Sequence, residues 1–277
     1  MRATAVAATA TGAHSPRLKA ARRLTKRAFR QRERAFLAEG PQAVAEAFRY
    51  GARVTDLFVT VPARGRHHDL VAEIVDAGIP VHVVSGEIMD ELAQTVTPQG
   101  LLAVCDFVDV PLASITGTSQ PQLVALLANV RDPGNAGTVL RTADAAGAHA
   151  VVFADASVDP YNGKCVRASA GSLFHLPVVA TAGLEEAIAT LRQAGLRIVA
   201  ADGRAGRSLD DPAVQARLAE PTAWMFGNEA WGLPPELVAL ADEPVAVPIY
   251  GRAESLNLAA AAAVCLYASA RAQRVQA

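Results

Sequence analysis

Cysteine is scarce: the 277-residue chain has three, Cys105, Cys165 and Cys265, far apart and with no C-x-x-C pair. An odd, dispersed set argues against a disulfide framework and against zinc, and suits a reducing cytoplasm. The histidines (His14, His67, His68, His82, His149, His175) show no H-E-x-x-H spacing, so no metal is expected. Long apolar runs are missing too. None reaches the ~18 residues that a membrane span requires, and the longest candidate, Leu258 to Ala268, is Ala-rich and reads as a buried helix. The N-terminus lacks the strongly apolar core of a signal peptide. It is acid-free up to Gln31, which leaves an organelle transit peptide open beside plain Ala-rich composition.

What is abundant is apolar: hydrophobic residues make up 51% and charged residues 19%, the balance of a well-packed globular protein. The net charge of −1 hides an asymmetry. From Arg17 to Arg34 stand nine Lys or Arg residues, among them Arg22, Arg23, Lys26 and Arg27, against a single acid, Glu33. Such a block gathers phosphate by counterion release even on a nearly neutral molecule; the plainer alternative is a solvated helix end.

The spacing predicts a disordered leader over residues 1–16 and a basic segment, Arg17 to Ala38, with a weak helical stripe. A first α/β unit follows, with helices at Pro41–Tyr50, Asp69–Ala77 and Glu87–Gln94 and strands at Val54–Val61, Ile79–Val84 and Leu101–Val108. The first domain is therefore 17–108. Residues 109–121, containing PLASITGTSQP, read as a linker. A second α/β domain spans 122–277. Its strands are expected at Leu123–Ala128, Ala150–Ala154, Leu176–Val179, Leu196–Ala201, Ala223–Phe226 and Val245–Ile249. Helices are expected near Thr138–Ala146, Gly163–Ser169, Leu184–Ala194, Pro235–Ala241 and Ser255–Arg271. Continuous apolar strands such as LVALLA suit a parallel sheet buried on both faces.

Three segments place polar or glycine residues at the carboxyl ends of these strands, where open α/β sheets bind ligands. NVRDPGNAGTVLR (Asn129 to Arg141) crowds Arg131, Asn135 and Arg141 around a tight Pro-Gly turn. It fits neither the dinucleotide nor the Walker phosphate-loop pattern; the bland alternative is a strand-to-helix turn whose Asn caps the helix. FGNEAWGL (Phe226 to Leu233) flanks Glu229 with Gly227 and Gly232, and by itself is a Gly-rich turn with a solvated Glu. VPIYGRAESLNL (Val247 to Leu258) leads into the Ala-rich helix, and capping alone would explain Ser255 and Asn257.

Together and in this order, the three segments resemble the motifs of the SpoU (TrmH-like) family of RNA ribose methyltransferases, from about Leu123 to the C-terminus. The string Val166 to Ser172 with Leu176-Pro177 also looks like that family, and the first half, opening with Phe36 to Gly40, resembles more loosely its RNA-binding substrate domain. One position departs: Ala230 stands where Gly is common, followed by Trp231.

The resemblance implies a parallel α/β methyltransferase domain knotted as a trefoil (SPOUT-type), with a small N-terminal α/β RNA-binding domain. It implies S-adenosyl-L-methionine as cofactor, contacted at Gly227, Val247 and Leu256, with Val247, Ile249 and Leu256 walling the adenine. It matches Arg141 to the essential arginine, with Asn135, Glu229, Ser255 and Asn257 at other catalytic positions, and Arg131 and Arg167 at phosphate contacts. A guanidinium is a poor base, so Arg141 is expected to stabilise the developing alkoxide, with base catalysis as the rival. The resemblance further implies a homodimer, packed beside the knot through the small-residue stretch Ala259 to Ala263. The expected reaction is transfer of a methyl group to a ribose 2′-hydroxyl of structured RNA, 23S ribosomal RNA before transfer RNA, of housekeeping or antibiotic-resistance type. A non-catalytic RNA-binding protein of the same fold is the alternative from another class.

Overall fold

In the computed structural model, which describes residues 9–12, 14–116 and 120–276, the chain separates into two compact units. One holds residues 1–108 together with 161–174; the other holds 109–160 and 175–277.

The first unit runs β1 (Thr9–Ala10), α1 (Pro16–Arg23), α2 (Arg27–Glu33), β2 (Ala35–Glu39), α3 (Pro41–Arg49), β3 (Val54–Thr60), α4 (Val61–Arg66), α5 (His68–Asp76), β4 (Val81–Val84), α6 (Gly86–Leu92) and β5 (Leu101–Asp106). Its sheet has the order β1-β4-β3-β5-β2. β3 and β4 are parallel, whereas β5 is antiparallel to both β3 and β2.

Three expectations change here. The stretch through residue 16 contains β1, which adds a parallel edge to β4 with Thr9 opposite His82; residues 1–8 lie outside the described residues. The basic segment is not one helix. Arg34 adopts a left-handed conformation (φ 52°) that ends α2, and Ala35–Glu39, buried at every position, becomes a strand against β5. Arg30 is not a solvated cation: it is 3% exposed, and its Nη1 donates to the carbonyls of Leu24 and Thr25 at 2.9 Å, tying off the turn between the helices.

The segment 161–174 carries α8 (Gly163–Ala168) and belongs to this unit by packing. The Tyr161 ring stacks on Phe107 with centroids 3.8 Å apart and lies 4.7 Å from Phe36. Its hydroxyl accepts from the Val108 amide at 2.9 Å, and Phe174 stacks on Phe36. Linear order alone put this segment in the second domain.

The second unit is built on β6 (Leu123–Ala128), α7 (Pro133–Ala146), β7 (Ala150–Ala154), β8 (Val178–Ala182), α9 (Leu184–Gln193), β9 (Arg197–Ala201), α10 (Pro212–Gln215), β10 (Thr222–Phe226), α11 (Pro235–Val238), β11 (Glu243–Val245) and α12 (Leu258–Gln276). Its six strands, in the order β11-β9-β10-β6-β7-β8, are all parallel, as the unbroken apolar runs foretold. One face is filled by Leu126, Val152, Ile188, Ile198 and Met225. The expected linker is not loose throughout: Leu112–Thr116 forms a 3₁₀ turn that buries Ile115 against this core, while 117–119 lie outside the described residues. No helix among the described residues is long and apolar enough to cross a membrane.

Two boundaries near the carboxyl edge move in a way that matters. The last strand stops at Val245 instead of running to Ile249, because its neighbour β9 ends at Ala201, opposite Val245, and the Ala246 amide donates instead to the Arg207 carbonyl at 2.9 Å. The final helix starts at Leu258, not Ser255, because Asn257 caps it: its Oδ1 accepts from the amides of Ala259 (2.9 Å) and Ala260 (3.3 Å). Residues 246–257 are thereby freed as a loop.

Candidate active site

Three loops meet at the carboxyl ends of β6, β9, β10 and β11. After β6 the chain turns at Asn129, a left-handed residue (φ 60°) of a type that tolerates that conformation. Asp132, not Asn135, caps α7, its carboxylate accepting from the Asn135 amide at 2.8 Å. After β10, Asn228 and Gly232 exchange backbone hydrogen bonds at 3.0 and 2.9 Å. Gly232 sits at φ +71° and Gly227 is pinched between neighbours: an added Cβ would lie 2.5 Å from the Gly232 carbonyl carbon and oxygen. Both glycines are therefore required by the tight hairpin. The departure at Ala230 is absorbed, since its amide donates to Asn228 Oδ1 at 2.8 Å and it is not among the residues of positive φ.

Glu229, at the tip, is the hub. One carboxylate oxygen accepts from the Arg131 amide (3.1 Å), the other from the Asp132 amide (2.9 Å) and Asn135 Nδ2 (3.4 Å). Asn135 Oδ1 in turn accepts from Asn257 Nδ2 at 3.0 Å. Asn228 Nδ2 donates to the Asn129 carbonyl at 3.1 Å. Glu229, Asn135 and Asn257, each open to a bland reading alone, thus form one chain that locks the three loops together. Capping is real for Asn257, and it is only half of what that side chain does.

Beside this network lies a cavity of about 330 Å³. Gly227, Glu229, Val247, Ile249, Ser255 and Leu256 line it, which unites all four expected cofactor positions with two expected catalytic ones. Arg141 is not in the lining; it stands exposed on α7 and makes no ion pair among the described residues, a cation offered to solvent or to something that docks. The cavity also takes in Asp202, Arg204, Trp231 and Glu254, which motif reading missed. Asp202 and Arg204 pair at 3.0 Å just past β9; the rule that ligands gather at strand carboxyl ends, applied to LRIVAADGR, would have found them. Trp231 is 59% exposed at the rim.

The basic candidates sit in the first unit or at the loops. Arg23, Lys26 and Arg27 are exposed around the α1–α2 turn, Arg23 lying 4.8 Å from the Phe29 ring centroid. Arg22 pairs with Glu91. Arg131 is exposed beside the Glu229 hub. Arg167 is committed within the first unit to Glu39, at 2.8 Å.

The pattern of the SpoU rRNA Methylase family matches residues 122–267, and that of the MRM3-like substrate binding domain matches residues 15–103. The chain belongs to the SpoU family. A curated relative, the 23S rRNA (guanosine(2553)-2′-O)-methyltransferase RlmP of Bacillus subtilis, is 34% identical over 257 residues, 92% of this chain and 96% of its own. Among solved structures, the AdoMet-bound rRNA methyltransferase of Sinorhizobium meliloti aligns with a TM-score of 0.80 at 32% identity, covering 94% of this chain and 96% of the other. The SpoU methyltransferase AviRb of Streptomyces viridochromogenes, solved with AdoMet, aligns with a TM-score of 0.80 at 28% identity, covering 95% of this chain and 100% of its own. In this SpoU chain the second and third family motifs line one cavity, and the first is tied to both through Glu229, Asn135 and Asn257.

Proposed function

We propose that this SpoU-family protein is an S-adenosyl-L-methionine-dependent methyltransferase that modifies a ribose 2′-hydroxyl of 23S ribosomal RNA. The observation that carries the reading is the Glu229–Asn135–Asn257 chain, which ties three distant loops together, two of them lining the cavity. Relatives named for guanosine 2′-O-methylation of 23S rRNA align over nearly the whole length, so both units share the kinship.

The cavity fits the cofactor. Its volume suits a small ligand, Val247, Ile249 and Leu256 offer flat apolar walls, and the carboxylates of Asp202, Glu229 and Glu254 complement a cation and hydroxyl groups. When bound there, S-adenosylmethionine supplies a methyl group on a sulfonium, already a good leaving centre. The residues of this chain then have two tasks. Glu229, Asn135 and Asn257 hold the loops in one arrangement before the substrate arrives, so alignment costs little at the moment of reaction. Arg141 would take the phosphate next to the target ribose and stabilise the developing alkoxide as the hydroxyl proton passes to solvent water. Arg23, Lys26 and Arg27 gather further phosphates of the RNA. The molecule acts in the cytoplasm, where ribosomal RNA is found in bacteria.

A homodimer completes the assembly. Of the expected stretch Ala259 to Ala263, Ala259 and Ala262 are buried within their own unit while Ala260 is exposed; the exposed face of α12 also presents Val264, Tyr267 and Val275, continuous with a groove that reaches Pro248, Tyr250 and Leu256. Such a face is sticky unless covered, and its cover lies against the cavity loop.

Transfer of tritium from labelled S-adenosylmethionine to a 23S rRNA transcript tests the reading. Arg141→Ala should lower the rate by roughly 10²–10⁴ while leaving folding within about 0.5 kcal/mol, as for other exposed positions. Near-normal turnover would remove Arg141 from the chemistry, and absence of transfer by the unmodified protein would remove the function.

A further inference from the structure

A second crevice lies wholly within the first unit. It has a volume of about 290 Å³ and is lined by Glu39, Gly40, Gln42, Thr97, Gln99 and Arg167 among others. At its end Glu39 is only 7% exposed. One of its oxygens is fully engaged: Oε2 accepts from Arg167 Nη1 at 2.8 Å and from the Gln94 amide at 3.0 Å. Arg167 Nη2 donates to the Gln94 carbonyl at 3.1 Å, so the guanidinium is spoken for as well. The other oxygen, Oε1, is buried and accepts no hydrogen bond. A buried carboxylate oxygen without a donor is costly and uncommon in native proteins. It calls for an N–H or O–H from outside.

The charge balance says what kind of group brings that donor. Glu39 and Arg167 cancel, and Gln42, Thr95, Thr97 and Gln99 are neutral groups that both donate and accept. A phosphate would meet the free carboxylate oxygen and find the guanidinium already taken. A neutral, planar ring with N–H and C=O groups along one edge satisfies every wall. The volume lies near the lower end of the ~300–1,000 Å³ usual for small-molecule sites, enough for one ring system. Proteins that read RNA commonly splay single bases into such clefts, against guanidinium planes and amide edges.

We propose that this crevice receives one unstacked nucleobase of the RNA, an N–H of the base donating to Glu39 Oε1. It is a second reading point, separate from the methylated ribose, and gives the first unit a specific grip beyond the charge of its basic helices. The inference rests on the RNA reading above.

The test uses the full chain and a 23S rRNA transcript in which 4-thiouridine, which keeps its N3–H, replaces part of the uridine. After irradiation, crosslinked peptides are mapped by mass spectrometry. Crosslinks are expected on peptides holding Glu39 to Ala43 or Thr95 to Gln99. They should fall fivefold or more in Glu39→Gln, and equally in a Thr97→Val/Gln99→Ala variant that spares the ion pair and so guards against misfolding of the first. Crosslinks around the second unit's cavity loops, with none at the crevice, would overturn this inference and leave the methyltransferase reading standing. No RNA crosslink anywhere would overturn both. Loss of the crevice crosslink on adding inorganic phosphate, with others unaffected, would make it an anion site and refute the base.

Discussion

Replacing Glu229 with Gln keeps the size of the hub and removes its charge. Two backbone amides, of Arg131 and Asp132, lie 3.1 and 2.9 Å from separate oxygens of the carboxylate. A glutamine has one acceptor oxygen, so one amide is left facing an NH₂ group. A hydrogen bond to a charged partner is worth about 1.5–3 kcal/mol. Glu229 is exposed, so water recovers part of this, and about 1–2 kcal/mol of loop order is lost. With ~1.4 kcal/mol per factor of ten, kcat/KM for methyl transfer should fall roughly 5–30-fold. Glu229→Ala, which also frees Asn135 and loosens the link to Asn257, should cost more, on the order of 10²-fold. The assay is tritium transfer to 23S rRNA, with thermal melts run in parallel; the melting temperature should move by only a few degrees, because one loop is affected and the sheet is not. If Glu229→Gln retains activity within twofold, or if Ala is no worse than Gln, the carboxylate does not organise the site and the argument from the network fails.

Gly227→Ala puts a methyl group 2.5 Å from the Gly232 main chain; overpacking of that kind costs about 1–3 kcal/mol, and calorimetry should find S-adenosylmethionine bound roughly 5–100-fold more weakly. Burial would raise the carboxyl of Asp242, but the Ile198 amide and the Arg192 guanidinium outweigh it and hold the folded form below the ordinary carboxylate range. A lowered folded value means that the unfolded chain binds the proton more tightly, so this stability is present above about pH 4 and disappears as the pH falls below it. Asp242→Asn should therefore melt earlier than the parent protein at pH 7 and converge with it toward pH 3; a gap that is constant with pH would contradict the assignment. Cys105, Cys165 and Cys265 are all buried, and burial pushes the thiols of Cys105 and Cys265 well up, so a disulfide reagent at pH 8 should titrate them only after denaturant is added; prompt reaction of the native protein would show an opening that the structure does not have.

The catalytic-side architecture was legible because its signals are backbone signals. Runs such as LVALLA suit a strand buried on both faces of a parallel sheet, and Gly227, Gly232 and Asn129 mark places where the chain turns sharply. What those loops do to one another was not legible. Capping explains Asn257 and solvation explains Glu229 until the distances show each holding a second loop. In the first unit, β2 was hidden because AFLAE is apolar without alternation and follows a basic helix, so no period of 2 announces it. Arg30 was counted with its solvated neighbours for a related reason: composition assigns a charge to a segment, while burial is decided residue by residue in three dimensions.

The Tyr161–Phe174 strip has a consequence for how the molecule is made. A ribosome that has delivered the first 108 residues has not yet delivered the rings that cover Phe36 and Phe107, nor the guanidinium that neutralises Glu39. The N-terminal half must wait, incompletely sealed, until translation passes residue 174. A fragment cut at the apparent boundary would keep that gap permanently.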